Sequence, residues 1–358
     1  MRVRMRLHER IPPVRDKPSV YEVAQLAGVS TATVSRVLAG YERVLPGTRD
    51  KVLTAVTELG YVPSGAARDL AARRTGVLGL CFPDLDAEDG DAAYWYDEVI
   101  RGMERAARRS GYAVLIAASH HRDDSGLVLS IAGRCDGLVV LARTAPLAMI
   151  EHVATSIPVV LLATEDDPAG SPADRAIDFL AVANESGAYQ VTAHLVDMHG
   201  YTDICFIAGP ADSPDSGRRL DGFQRATAGL VSHRNEVLVY YGDFTTAGGR
   251  RVAERIIGAG RVPRALVCAN DQMAIGGMAA LQRAGLNVPG DVAVTGFDGI
   301  RLGRHLRPSL TTVVQPMAAL GDTAVTMLKD RIGGATLPQR TVELPVRLEL
   351  RASCGCAQ

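Results

Sequence analysis

The sequence predicts a small all-α head over residues 18–62 and a two-lobed α/β body that begins at residue 75. Three observations lead there. Residues 19–59 carry apolar side chains at helical spacing, with capping residues ahead of the runs. From Thr75 onward, short apolar runs alternate with amphipathic stretches, the pattern of parallel strands joined by helices. At 358 residues the chain exceeds one typical domain, and an apolar content of 47% is ample for a sizeable core.

Ser19 followed by Glu22 is a capping box, so a helix is predicted from Val20. Val23, Ala24 and Ala27 form its apolar face, and Gly28 supplies the turn. Ser30 has the chemistry to cap a second helix over Thr31–Ala39. There Val34, Val37 and Leu38 point inward, leaving Thr31, Ala32, Ser35 and Arg36 on the outer face. Two short helices joined by a Gly-containing turn are a helix-turn-helix, whose second helix enters the DNA major groove. A third helix is expected from Thr48 to Leu59. Residues 1–17 read as a disordered basic tail, and Pro63–Arg74 as a linker with helix-compatible residues.

Charge follows the same division. Residues 1–75 hold 13 Lys+Arg against 7 Asp+Glu, while the whole chain has a net charge of −1. A basic head on an acidic body suits a nucleic-acid binder with a separate regulatory module. The first sixteen residues lack the apolar core of a secretory signal, and no run is long and apolar enough for a membrane span. The expected location is therefore cytoplasmic. The six cysteines sit mostly in apolar runs and read as buried free thiols. Cys354-Gly355-Cys356 finds no His or Cys cluster to complete a tetrahedral set, so neither metal nor cofactor is expected.

In the body, candidate strands are Val77–Phe82, Tyr112–Ala118, Gly137–Leu141, Pro158–Ala163, Asp203–Ala208, Val237–Tyr241, Ala265–Cys268 and Val292–Phe297. Helical stretches between them include Asp97–Ser110, Ser186–His199, Ser216–Val231, Ala247–Ala259 and Gln272–Ala284. The order repeats in two halves that break near Asp178–Asn184.

The strings V-A-x-x-A-G-V-S-x-A-T-V-S-R-V-L, from Val23, and Y-x-P-S-x-x-A-R-x-L, from Tyr61, closely resemble the head of lactose-repressor-type (LacI/GalR) transcription regulators. The resemblance implies DNA contacts from Thr31, Ala32, Thr33, Ser35 and Arg36. It also makes residues 63–74 a hinge helix, ordered on DNA, with Ala67 and Leu70 at the minor groove and Leu70 as an apolar wedge. Gly65 lowers that helix's intrinsic stability by about 1 kcal/mol, consistent with folding only on DNA. For the body it implies a periplasmic-binding-protein-like fold with three crossings between lobes. The first lobe is then residues 75–180 with 310–332, and the second 181–309 with 333–350.

Ligands of open α/β sheets bind beyond the carboxyl ends of strands. Trp95 and Tyr96, after the acidic loop that follows the first strand, resemble the family's aromatic contacts and offer flat faces to a sugar or a planar base. Ser213, Asp215 and Arg219 follow a later strand; Asn270 and Asp298 follow two more; Phe244 adds an apolar wall. Together they favour a polyol site. Many sugar-responsive relatives carry Asp where this chain has Ala163, a departure that leaves room for a larger or phosphorylated ligand. His120-His121 reads as a solvated loop pair.

No phosphate-binding G-x-x-x-x-G-K-[ST], strand-borne G-x-S-x-G or H-E-x-x-H is present, which disfavours an enzyme. The expectation is a homodimeric repressor of carbohydrate uptake or catabolism genes, binding a pseudo-palindromic operator and controlled by a sugar effector. Dimers rather than tetramers are expected, since no leucine repeat follows Leu350. A nucleobase or phosphorylated effector, or a constitutive architectural DNA binder, stands as the alternative.

Overall fold

The computed structural model describes residues 18–38, 40, 41, 43–62, 74–83, 93–119, 125–163, 177–230, 238–334 and 337–356. The N-terminal tail, the hinge with Ala67 and Leu70, the acidic loop beyond Pro83 and the His120-His121 pair lie outside the described residues. The chain separates into two compact units, residues 1–74 and 75–358.

The head holds α1 (Val20–Ala27), α2 (Thr31–Leu38) and α3 (Pro46–Leu59). Both halves of the capping box form: the Ser19 amide donates to Glu22 at 2.6 Å, and the Glu22 amide donates back to Ser19 Oγ at 3.4 Å. Gly28 takes a φ of 66°, which an L side chain disfavours, and ends α1. The Ser30 hydroxyl accepts from the Thr33 amide at 3.2 Å and starts α2. Val23, Ala24, Ala27, Val34, Val37, Val52 and Ala55 form the small core. The third helix begins at Pro46, two residues ahead of Thr48, because proline suits a first-turn position where no amide donor is needed.

The body contains two six-stranded sheets. One has the order β11-β5-β4-β3-β1-β2, from β1 (Val77–Pro83), β2 (Ala113–Ser119), β3 (Gly137–Leu141), β4 (Val159–Leu162), β5 (Ile177–Val182) and β11 (Thr341–Leu344). The other has the order β12-β10-β9-β8-β6-β7, from β6 (Ile204–Ala208), β7 (Leu238–Tyr241), β8 (Ala265–Cys268), β9 (Ala293–Asp298), β10 (Thr311–Val314) and β12 (Arg347–Glu349). Every described pairing is parallel except β10 with β12. Successive β3 residues serve opposite faces: Val139 and Leu141 join one core, Leu138 and Val140 another. A sheet buried on both faces explains why its strands read as continuous apolar runs.

The helices of the body are α4 (Ala93–Arg109), α5 (Ser125–Ala132), α6 (Leu147–Ala154), α7 (Asn184–Ala193), α8 (Pro214–Thr227), α9 (Thr246–Gly258), α10 (Asp271–Arg283) and α11 (Met317–Ile332). α4 and α11 pack on each other through Gly102 and Gly321. A Cβ on Gly102 would lie 2.0 Å from the Ala318 carbonyl oxygen, and one on Gly321 would lie 2.2 Å from that of Val99.

The last crossings differ from expectation. Thr311–Val314 stays in the second sheet beside β9, and only α11 returns to the first lobe. Thr341–Leu344 then pairs with β5 in the first sheet, leaving Arg347–Glu349 for the second. Charge pairing ties β11 to the first sheet. Asp178 on β5 is fully buried and accepts from Arg331 at 2.5 and 2.9 Å and from Arg340 at 2.7 and 3.1 Å, which anchors the start of β11. Burial alone would raise the Asp178 pKa; hydrogen bonds from Arg331 and Arg340 outweigh it and hold the carboxyl below its usual range.

Candidate functional site

Two surfaces carry candidate chemistry. On the head, Ala32, Ser35 and Arg36 are exposed on α2, while Thr31 and Thr33 are half-buried. Thr33 is partly occupied at home, since its hydroxyl lies 2.9 Å from that of Ser30 in the cap. Arg36 is the only long cationic side chain on α2.

The second surface is a cleft between the two sheets, lined by residues of both lobes. All eight predicted residues line it: Trp95, Tyr96, Ser213, Asp215, Arg219, Phe244, Asn270 and Asp298. Helix starts position most of the second-lobe set. Ser213 caps α8 by accepting from the Ser216 amide at 3.4 Å, which places Asp215 in the first turn and Arg219 one turn later. Thr245 caps α9 and accepts from the Gly248 amide at 2.9 Å, so Phe244 sits at the loop's inner edge. Asn270 caps α10, its Oδ1 accepting from the Met273 amide at 3.0 Å.

Arg219 is the hub. Its Nε donates to Asn184 Oδ1 at 2.8 Å, and one terminal nitrogen donates to the Ala269 carbonyl at 2.6 Å. That same nitrogen lies 3.6 Å from Asp298, the other terminal nitrogen lies 3.7 Å from Asp215, and the group stacks 4.0 Å above the Phe297 ring. Asp215 accepts from the Asn184 amide at 2.9 Å, and Asp298 from the Gln315 amide at 2.6 Å. Behind them Asp271 accepts from Thr312 Oγ1 at 2.6 Å and from the Ile300 amide at 2.8 Å.

Two carboxyls, half-buried Asp215 and buried Asp298, thus share one guanidinium. Burial pushes the Asp298 pKa up, while Arg219 and Gln315 pull it partly back. Burial, and then the neighbouring Asp298 charge, raise that of Asp271. Asp215 is raised by burial against the pull of Arg219 and Asn184. Carboxyl oxygens beside a guanidinium offer both acceptors and donors, which match ligand hydroxyls.

Among the described residues, four non-glycine positions hold a positive φ: Arg143 at 73°, Ala163 at 64°, Phe244 at 68° and Asp298 at 121°. All four line the cleft. Such backbone is costly and persists where surrounding structure enforces it, and it gathers at functional sites.

On the other wall, Tyr96 stacks on Phe82 with centroids 4.5 Å apart and meets Trp95 edge-on at 5.4 Å. Arg143, not foreseen as a site residue, reaches across the lobes to Asp212 at 3.1 Å. Its place just after β3 is the signal that would have found it. Gln272 is a second unforeseen lining residue. Asn270 departs from its expected role. Its amide already donates to the Phe244 carbonyl at 2.9 Å and to Gln272 Oε1 at 2.7 Å, so its donors chiefly tie the loop to the helix.

All six cysteines are free, and burial pushes the Cys205 thiol up to about 12 and that of Cys135 up to about 11. The expectation that no cluster completes a ligand set around Cys354 and Cys356 is corrected: the fold brings His194 and His199 to them. These residues are far apart in sequence, and only folding of the second lobe unites them.

Comparison with known proteins bears on both surfaces. Residues 19–64 match the family model described as bacterial regulatory proteins, lacI family, and residues 192–354 match a periplasmic binding protein-like domain. Catabolite control protein A of Priestia megaterium is 32% identical over 340 residues, covering 94% of this chain and 98% of that protein. The HTH-type transcriptional repressor PurR of Erwinia tasmaniensis is 35% identical over 342 residues, covering 93% and 96%. Among solved structures, the Lac repressor dimer bound to operator and the anti-inducer ONPF aligns with a TM-score of 0.80 and 27% identity, covering 95% of this chain and 99% of that one. The transcriptional regulator CelR–cellobiose complex aligns at 0.69 and 31% identity, covering 94% and 100%. With an α2 that presents Arg36 on one unit and a polar cleft between the lobes of the other, the chain belongs to the LacI family of DNA-binding transcriptional regulators and not to a family of enzymes.

Proposed function

We propose that the protein is a homodimeric repressor whose affinity for a pseudo-palindromic operator is set by a small polyol, a mono- or oligosaccharide, held in the cleft. The observation that carries this reading is the convergence of Asp215, Asp298 and Arg219 from one lobe on a cleft walled by Trp95 and Tyr96 from the other. Carboxyl and guanidinium groups suit hydroxyls, and aromatic faces suit the C–H face of a sugar ring. The relative CelR was solved with cellobiose.

Thr31, Ala32, Thr33, Ser35 and Arg36 would face the major groove, with Arg36 reading a guanine edge. One helix-turn-helix reads too few base pairs for genomic specificity, and the related Lac repressor was solved as a dimer on operator. A ligand that touches both walls favours one arrangement of the lobes, and operator affinity then changes reciprocally with ligand affinity. The Arg143–Asp212 pair, which spans the lobes, is positioned to respond to that change.

A thermal-shift screen of mono- and oligosaccharides, nucleobases and sugar phosphates tests the ligand class. A ligand at 100 times its dissociation constant adds about 2.7 kcal/mol of stability. A sugar hit that also changes operator affinity supports the reading. A hit confined to planar bases overturns the polyol assignment and favours the Trp95 face as the main contact.

A further inference from the structure

At the end of the second lobe remote from the cleft, four metal-ligating side chains meet. His194 and His199 present their Nε2 atoms 3.2 Å apart. Cys356 Sγ lies 3.4 Å from one and 3.5 Å from the other, and with Cys354 all four ligand atoms fall within 4.8 Å of one another. We propose that His194, His199, Cys354 and Cys356 form a tetrahedral site for Zn²⁺ that staples the end of the chain to the second lobe.

The distances match the chemistry. Zinc binds imidazole nitrogen at about 2.0–2.1 Å and thiolate sulfur at about 2.3 Å. A tetrahedron with those bonds has nitrogen–nitrogen edges of about 3.3 Å and nitrogen–sulfur edges of about 3.5 Å. The observed separations of 3.2, 3.4 and 3.5 Å agree without movement of the three atoms. Two thiolates and two imidazoles form one of the closed structural zinc sets, and sulfur ligands disfavour calcium and magnesium.

Local structure is shaped to make the set. Helix α7 does not continue as an α-helix but widens into a π-helical turn over His194–Met198. In an α-helix, residues five apart diverge around the axis. The i→i+5 geometry of a π turn brings them to one side, and such turns concentrate at functional sites. On the opposite side of the site, Gly355, in the turn after Ala352–Cys354, adopts a φ of 105° between the two cysteines. A Cβ there would lie 3.1 Å from Tyr201 Oη and 3.4 Å from His199 Cε1 in a backbone conformation that L side chains rarely adopt.

An outer layer holds the ligands. Tyr201 stacks on His199 with centroids 5.2 Å apart, donates weakly to the Cys354 carbonyl at 3.4 Å, and accepts from Arg264 at 3.0 Å. Ser353, next to Cys354, donates to the Val294 carbonyl at 2.6 Å and accepts from the Thr311 amide at 2.8 Å. Partners of this kind orient metal ligands and are as much a part of a site as the ligands themselves. Tyr201 precedes β6, whereas the cleft lies beyond strand ends such as Ala208, so the metal site stands apart from effector binding.

The test uses full-length protein kept reduced throughout, with Zn²⁺ and Co²⁺ as probes. Metal analysis after dialysis against limiting zinc should find one zinc per chain. Cobalt titration should give the ligand-field bands of a tetrahedral site together with a thiolate-to-cobalt charge-transfer band. Cys356→Ser and His199→Gln, both at half-buried positions, should lower bound metal to background. A chelator should lower the melting midpoint of the wild type and leave that of the variants unchanged. Reduced wild type that takes up no zinc and gives no tetrahedral cobalt spectrum overturns the proposal. Metal uptake that persists equally in both variants overturns it as well.

Discussion

Replacement of Arg219 by Ala tests whether one guanidinium holds the cleft's carboxyls in place. The variant loses two charge-assisted hydrogen bonds, to Asn184 Oδ1 at 2.8 Å and to the Ala269 carbonyl at 2.6 Å. It also leaves half-buried Asp215 and buried Asp298 without their cation, 3.7 and 3.6 Å from where it stood. Each charge-assisted bond is worth about 1.5–3 kcal/mol, and breaking a buried ion pair costs about 3–5 kcal/mol. The two overlap, so the expected loss at pH 8 is about 3–5 kcal/mol. The loss should shrink at pH 5. Burial already raises the Asp215 and Asp298 pKa values, and removal of Arg219 raises them further. A carboxyl whose folded pKa exceeds its unfolded value of about 3.9 binds an extra proton in the folded state, so stability falls as pH rises through that window. The variant is therefore hurt most where its carboxyls must ionise. Urea unfolding followed by fluorescence of Trp95, the single tryptophan, reports on the body at both pH values. An equal loss at pH 5 and pH 8 would refute the electrostatic role and leave only lost packing.

Three further outcomes are expected. Arg36→Ala should weaken operator binding by about 1–3 kcal/mol and random duplex much less, measured by fluorescence anisotropy at fixed salt; equal losses would make Arg36 a phosphate contact only. Asp178→Ala should destabilise the body by about 3–5 kcal/mol, because it strands Arg331 and Arg340 against a buried edge. Since the folded Asp178 pKa is depressed, the stability it contributes is present above its unfolded pKa of about 3.9 and is lost as pH falls through the folded value; acid titration of wild type against variant reads this directly. Gly321→Ala should cost about 1–3 kcal/mol or more in a urea melt, since its Cβ would sit 2.2 Å from the Val99 carbonyl and force α4 and α11 apart.

Much of the fold was legible because caps and apolar runs are local. Ser19 with Glu22, Ser30 and Gly28 mark the first two helices without reference to anything distant. In the sequence β5 reads as a break between halves, because Asp178 interrupts its apolar pattern. Its charge makes sense only with Arg331 and Arg340, which lie more than a hundred residues away. The exchange of β10 and β11 between sheets was hidden for the same reason: a short strand shows its period and not its partner. In the cleft, strand ends and family resemblance together located eight lining residues. What they missed are side chains that act across elements, such as Arg143 meeting Asp212 and Gln315 meeting Asp298. The His194–His199 spacing carried no signal either, since five residues is not the repeat of an α-helical face. Only the π turn makes it one.

The central claim is that a ligand in the cleft controls DNA affinity, and Asp298→Asn tests it most directly. The substitution keeps size, keeps an acceptor for the Gln315 amide, and tolerates the φ of 121° better than most residues. It removes the carboxyl that faces Arg219 in the cleft. Operator would be obtained by selection from random duplexes, and its affinity measured for both proteins across a titration of the sugar found by thermal shift. The expected result is a ligand-dependent change in wild-type operator affinity that is absent in the variant. Ligand-free affinity should stay within about tenfold, or roughly 1.4 kcal/mol. A variant that still responded at wild-type ligand concentrations would contradict the assignment, because the controlling ligand would then bind outside this cleft.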